Sequence, residues 1–440
     1  MKIFFRIFLF VIGLTGGICQ SRQTDVSKNS KPDVFAHEDK RIRKDHPVYK
    51  MQEFHQRNGL PGLFYKIARQ RQIRIGYIGG SITEAGSGWR DLTFDWFRLK
   101  YPQTAFYQIN AAIGGTGSGL GVFRMERDLL AGKPDLVFVE FAVNDSGTAR
   151  EELLRSVEGM IRKIWAALPE CEICFVYTAA EAHCKELAEG KQQQSVTTME
   201  ELADYYGIPS IHLGLEVVRL YVEGKLTLTA EASENARTIV FTSDRTHPLS
   251  ESGHPIYAGV ATRYLERMSK KPAIVRRSLP VPYIADNWQN ARMIDVSQTS
   301  LSGKWEKLPE ESAVMQQFSR YMPSLYRLSP GAVMRFKFNG SVLGFYDCIG
   351  PGSGTVEVTV DGQKHVIRRF DQWCSNYRKH NFFIGDLTDG VHEVEVRVLD
   401  SPVDKASIML LKNIVITDPE RYAALDWYPA NIMIAGEMLH

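Results

Sequence analysis

From Ile73 onward the chain alternates continuous apolar runs with amphipathic stretches. The runs RIGYI (74–78), FYQIN (106–110), DLVFVEF (135–141), ICFVYT (173–178) and IPSIHL (208–213) predict strands. Segments at about 89–100, 119–131, 150–168, 196–206 and 214–222 carry helical periodicity. The strand runs are continuous apolar runs rather than alternating ones, which suits a parallel sheet covered by helices on both faces. Alternation at this spacing predicts an α/β fold, a three-layer doubly wound parallel sheet with its sites at the carboxyl ends of the strands. A short helix is expected near Pro61 in LPGLFYKIARQ (60–70), since proline is tolerated in a first turn.

Beyond about residue 270 the period shortens. SKKPAIVRRSLPVPY is basic and proline-marked, and reads as a linker. VMRFKFNG, SVLGFYD, GTVEVTVDGQ and HEVEVRVLD then alternate between Gly, Asp and Asn turns, with Asp361-Gly362 as a hairpin signal. They predict a C-terminal all-β sandwich or jelly-roll domain. The expected organisation is an arm over 20–59, an α/β domain over 60–272, a β-domain over 280–425 and a tail over 426–440. The AALDWYPANIMIAG run gives that last stretch apolar surface with which to fold back on the first domain.

A length of 440 residues is enough for two domains. A formal charge of +2 gives no reason to expect nucleic acid as a partner. Lys2 and Arg6 precede the apolar stretch Ile7–Leu14 and then TGGICQ, the layout of a secretory signal peptide over 1–19. The stretch is too short to span a bilayer, so the mature chain is expected to carry no transmembrane segment and to be exported, periplasmic or extracellular. Lipid attachment through Cys19 is the competing outcome. Export would permit disulfides, and Cys348 and Cys374 are placed to pair in the β-domain. Cys171 and Cys174 form a lone CxxC without a second ligand pair, so no metal is expected and ordinary core cysteine is the reading.

Four short segments carry chemistry. Ser81 follows the strand RIGYI at once, in the turn GGSIT. The second strand ends at Asn110 and runs into AAIGGTGSG, which is neither GxGxxG nor a Walker loop. The third ends EFAVND, with Asn144 and Asp145 at its carboxyl end. Far downstream, FTSDRTHP places Asp244 three residues before His247, so that a carboxylate can hold one imidazole nitrogen while the other stays free for a proton. Each has a plain structural reading: a serine in a glycine turn, a flexible connection, a helix cap, surface pairing. His254 is read as structural. Their order along one edge of one sheet is what sets them apart.

These segments resemble the blocks of the SGNH, or GDSL-like, hydrolase superfamily: GGSIT the nucleophile block, NAAIGG the glycine block, AVND the GxND block and DRTH the DxxH block. The resemblance spans about residues 60–270 and implies an SGNH/flavodoxin-like domain. It also implies Ser81 as nucleophile, His247 as general base and Asp244 as its orienting carboxylate. The Ser81 N–H, the Gly115 N–H and the Asn144 side chain would form an oxyanion hole, and no cofactor is needed. Two positions depart from it: Gly80 stands where an Asp is usual, and Ala142 where a Gly is.

The stretch GLPGLFYKIARQRQIRIGYIGGSIT, with GWR after it, is similar to bacterial secreted two-domain carbohydrate esterases. The expectation is an esterase acting on O-acetyl groups of a poly- or oligosaccharide. A lipase, lysophospholipase or thioesterase of the same superfamily is the alternative, and a non-catalytic carbohydrate-binding protein the alternative of another class. Trp373 and Tyr377 are read either as sugar-stacking or as core residues. Trp89 and Arg90 lie near enough in sequence to reach the Ser81 pocket, with Trp89 read first as packing at a helix start.

Overall fold

The computed structural model describes residues 45–69, 72–230 and 238–439. The expected signal peptide, Cys19 and most of the expected arm lie outside those residues.

The predicted alternation forms one six-stranded sheet. Its strands are β1 (Phe54–His55), β2 (Gln72–Gly79), β3 (Ala105–Asn110), β4 (Leu136–Glu140), β5 (Glu172–Tyr177) and β6 (Ser210–His212), in the order β1-β6-β5-β4-β2-β3. All neighbours are parallel except β1, a short antiparallel edge beside β6. Without that edge the order is the flavodoxin-like 2-1-3-4-5 arrangement, whose switch point falls between β2 and β4. Every residue of β4 and β5 is buried, which explains why those runs are apolar without alternation.

The helices are α1 (Pro61–Ile67), α2 (Ser81–Glu84), α3 (Trp89–Lys100), α4 (Ser118–Asp128), α5 (Arg150–Ala167), α6 (Glu181–Ala188), α7 (Gln194–Tyr206), α8 (Leu213–Val222) and α9 (Gly253–Met268). Of these, α2 and α6 were missed in the sequence: SITE is a single turn, and EAHCKELA is too short and mixed for its period to stand out. A parallel pair, β7 (Leu226–Thr229) and β8 (Ile239–Thr242), leads into the turn that carries Asp244.

The rest of the chain is all β. It comprises β9 (Ala291–Asp295), β10 (Ser300–Ser302), β11 (Trp305–Lys307), β12 (Tyr326–Leu328), β13 (Val333–Ile349), β14 (Thr355–Val360), β15 (Gln363–Arg368), β16 (Arg378–Leu399) and β17 (Tyr428–Leu439), with a short helix α10 (Ala313–Phe318) before β12 and another, α11 (Lys405–Leu410), before β17. Seven of the strands join in antiparallel order β15-β14-β16-β13-β17-β9, with β10 also paired to β13. Register shifts around Val342 interrupt the pairing of the 17-residue β13 with β16 and β17, which flank it on both sides of that point. Asp361 and Gly362 turn between β14 and β15 with φ of 51° and 85°, the left-handed conformations a two-residue hairpin turn requires.

One expectation is corrected here. The stretch 426–440 is not a tail: Tyr428–Leu439 is an interior strand between β13 and β9. YPANIMIA is buried throughout, and burial on both sides is what a continuous apolar run requires. Its Ala430, Met433 and Ala435 join a core shared with α4, α5 and Trp288, in which Phe123 meets the rings of Trp288 and Phe383 at 5.5 and 5.6 Å. The pairing considered for Cys348 and Cys374 is absent. Both are free and buried, as are Cys171 and Cys174, and burial pushes all four thiols up, away from reactivity.

Candidate active site

Ser81 is the first residue of α2, reached from the carboxyl end of β2 through Gly79 and Gly80. Close approach explains the glycines. A Cβ on Gly79 would lie 2.5 Å from the Glu140 carbonyl of the neighbouring strand, and one on Gly80 would lie 2.5 Å from Asn144 Cγ. The turn is also held from below. Thr83 donates to the buried carboxyl of Glu140 at 2.8 Å, and Thr178 donates to the other oxygen at 2.6 Å. Burial keeps that carboxyl protonated to higher pH than usual, against the pull of both hydroxyls. Arg90, itself buried, wraps the far side and donates to the Thr83 carbonyl at 2.9 Å and the Ala85 carbonyl at 3.2 Å. Thus neither Trp89 nor Arg90 is a pocket wall. Trp89 is fully buried against Tyr77 and Phe138, and Arg90 is a brace.

Asp244 and His247 sit in the exposed turn after β8, opened by Arg245 at φ 69°. Asp244 Oδ1 accepts the backbone N–H groups of Thr246 and His247 at 2.9 and 2.7 Å, while Oδ2 meets His247 Nδ1 at 2.6 Å. The opposite ring nitrogen, Nε2, lies 2.7 Å from Ser81 Oγ. Partial burial works against ionisation of Asp244, but the His247 N–H, its ring and the Thr246 N–H together hold the carboxyl well below the usual range. With an anion fixed at Nδ1, that nitrogen carries the proton and Nε2 presents a lone pair to the serine hydroxyl. A serine hydroxyl in that position has a proton acceptor within hydrogen-bonding distance, which is what nucleophilic attack requires.

The other two expected residues lie next to neighbours of that serine: Gly115 follows Gly114, and Asn144 packs against Gly80. A Cβ on Gly114 would stand 3.3 Å from Ser81 Cβ, which places the glycine loop against Ser81. Gly115 follows at φ 73°, is exposed, and makes no backbone hydrogen bond with its N–H among the described residues. Asn144 packs its amide against Gly80 and has no hydrogen-bond partner there either. It is not the cap of α5, whose N-cap is Ala149. Its neighbour Asp145 turns the other way and is buried. It accepts the Ser118 N–H at the start of α4 at 3.1 Å, and burial pushes its carboxyl up to about 7.

His254 lies on α9, where Nδ1 accepts the Trp89 N–H at 3.0 Å. Burial, then the nearby His247, lowers it to about 4. This neutral ring is the structural residue expected. Tyr377 is half-buried, with its hydroxyl 3.1 Å from that of Tyr428, whereas Trp373 is exposed with Lys412 Nζ 4.0 Å above its ring. Sequence reasoning missed Thr83, Glu84, Glu140 and Thr178. The one signal was an acid inside an otherwise apolar strand, the Glu of VFVEF.

Residues 77–254 match the model of the GDSL-like lipase/acylhydrolase family. Two crystal structures of a two-domain esterase (CEX) active on acetylated mannans share the fold. One superposes with a TM-score of 0.66 at 21% identity, over 87% of this chain and 96% of that one. The other, co-crystallised with mannopentaose, gives 0.64 at 21% identity, over 84% and 92%. No curated protein matches the sequence.

Proposed function

We propose that this chain, a carboxylic ester hydrolase whose residues 77–254 match the GDSL-like lipase/acylhydrolase model, removes O-acetyl groups from a polysaccharide or oligosaccharide with Ser81, His247 and Asp244. The observation that carries this reading is the continuous run of contacts from Asp244 Oδ2 through the His247 ring to Ser81 Oγ, at 2.6 and 2.7 Å.

In the reaction, Ser81 Oγ attacks the acetyl carbonyl carbon while His247 Nε2 takes the hydroxyl proton. Asp244 stabilises the imidazolium so formed. The tetrahedral oxyanion is met by the Ser81 N–H at the start of α2, the unpaired Gly115 N–H and the free Asn144 amide. Such preorganised donors supply the larger part of the rate. The intermediate collapses, His247 protonates the leaving sugar oxygen, and acetyl-Ser81 remains. Water, deprotonated by the same imidazole, then releases acetate.

The sugar substrate is argued from the shared two-domain architecture, the neighbour being described as active on acetylated mannans. Export is part of the proposal, resting on the N-terminal sequence. No helix among the described residues is long and apolar enough to cross a membrane. Acetate release from acetylated mannans, xylans and pectins, with p-nitrophenyl esters of increasing acyl length alongside, tests the reading. Acetyl esters are expected to be cleaved best. A preference for long acyl chains would favour the lipase alternative. Retained turnover of p-nitrophenyl acetate by a folded Ser81→Ala variant would remove the nucleophile.

A further inference from the structure

The all-β part of the chain reaches the catalytic turn through one carboxylate. Glu84 is the last residue of α2, three positions after Ser81. Its Oε2 accepts the Gly114 N–H at 2.6 Å. Its Oε1 accepts the hydroxyl of Tyr321 at 2.6 Å and lies 3.4 Å from Arg320 Nη1, both from the segment between α10 and β12. Tyr321 is fixed in turn. Arg127 of α4 donates to its carbonyl at 3.0 Å, and Lys379 of β16 stands 3.8 Å over its ring.

These contacts bear on the loop tip. The Gly114 N–H is committed to Glu84, so the next N–H along the loop that could meet an oxyanion is that of Gly115. Gly115 is exposed, and a Cβ placed on it would have no neighbour within 4 Å, so side-chain packing does not hold its peptide. The hydrogen bond one residue earlier does, and a carboxylate acceptor makes that bond a strong one. We infer that Glu84 and Tyr321 are positioning residues that aim the Gly115 N–H, so that the all-β part sets the rate of the chemical step. The inference rests on the oxyanion role proposed for Gly115.

The test uses the full chain and p-nitrophenyl acetate. Tyr321→Phe removes one hydroxyl from the clamp, and kcat is expected to fall about tenfold with KM within about twofold. Glu84→Gln is expected to lose about 10- to 100-fold in kcat, because its amide cannot accept from both partners. The double variant should lose no more than the worse single one, since both act on one peptide. Binding of phenylboronic acid, which forms a tetrahedral adduct with a nucleophilic serine, should weaken in step with kcat while inhibition by acetate stays unchanged. A purely structural role would leave that contrast absent. Wild-type kcat in Tyr321→Phe, or a rise confined to KM, overturns the inference and leaves the nucleophile reading standing. Turnover retained in Ser81→Ala is the separate result that removes the reading beneath it.

Discussion

Gly80 and Asn144 are fitted to one another: a Cβ on Gly80 would come within 2.9 Å of Asn144 Nδ2 and closer still to its Oδ1. The resemblance read from the sequence leads one to expect an aspartate at Gly80, but the Asn144 amide fills the space its side chain would take. Gly80→Asp should therefore inactivate the enzyme rather than restore a missing contact. We expect kcat on p-nitrophenyl acetate to fall by at least about 100-fold, the scale of losing one oxyanion donor. Activity at the wild-type level would mean that the amide has room to move.

Asn144→Ala addresses the same amide without adding bulk. The amide has no partner among the described residues, so its removal breaks no internal hydrogen bond and stability should change by less than about 1 kcal/mol. The expected effect is a fall in kcat of about 10²–10³-fold with KM little changed. A loss confined to KM would reassign Asn144 to substrate binding.

Asp244→Asn keeps an oxygen for the Thr246 and His247 N–H groups but turns an NH₂ toward His247 Nδ1. That favours the tautomer with the proton on Nε2, where it opposes proton transfer from Ser81. A fall of about 10⁴-fold in kcat is expected, as in a protease triad. Steady-state kinetics on the folded variant would show it. A change of less than about tenfold would mean that His247 is oriented by the turn alone.

A different buried imidazole makes stability depend on pH. His212 ends β6, is 4% exposed, and has no hydrogen-bond partner for either ring nitrogen among the described residues. Burial lowers it to about 4 from an ordinary value of 6.5. The unfolded chain therefore takes up a proton below about pH 6.5 that the folded chain refuses until about pH 4. Its contribution to stability is present above pH 6.5 and is lost as the pH falls through that window, by about 3 kcal/mol. In urea unfolding, His212→Phe should gain on the wild type by up to that amount between pH 7 and pH 4. A difference independent of pH would refute it.

The sheet and the order of the candidate segments along its edge were legible in the sequence because both are written locally. Continuous apolar runs announced β2 to β6, and each chemical segment begins where such a run stops. What could not be read was chemistry made by distance. Glu84 is an unremarkable polar residue until Tyr321, 237 positions later, is placed against it. Glu140 is one acid in an apolar strand, and only the approach of Thr83 from α2 and of Thr178 from the end of β5 gives it a task. The stretch 426–440 was misplaced for a related reason. An apolar run reports that it will be buried, not between which strands.

The interior place of β17 has a consequence for biosynthesis. The α/β sheet has all its strands once residue 212 is made, whereas the seven-stranded sheet lacks a central member until residues 428–439 clear the ribosome. A nascent chain can thus assemble its serine, imidazole and carboxylate while β9 and one edge of β13 still wait for their common neighbour. Translation that stops shortly before that point would leave those two edges open to pairing with other chains, so premature termination should yield aggregates rather than a smaller working esterase.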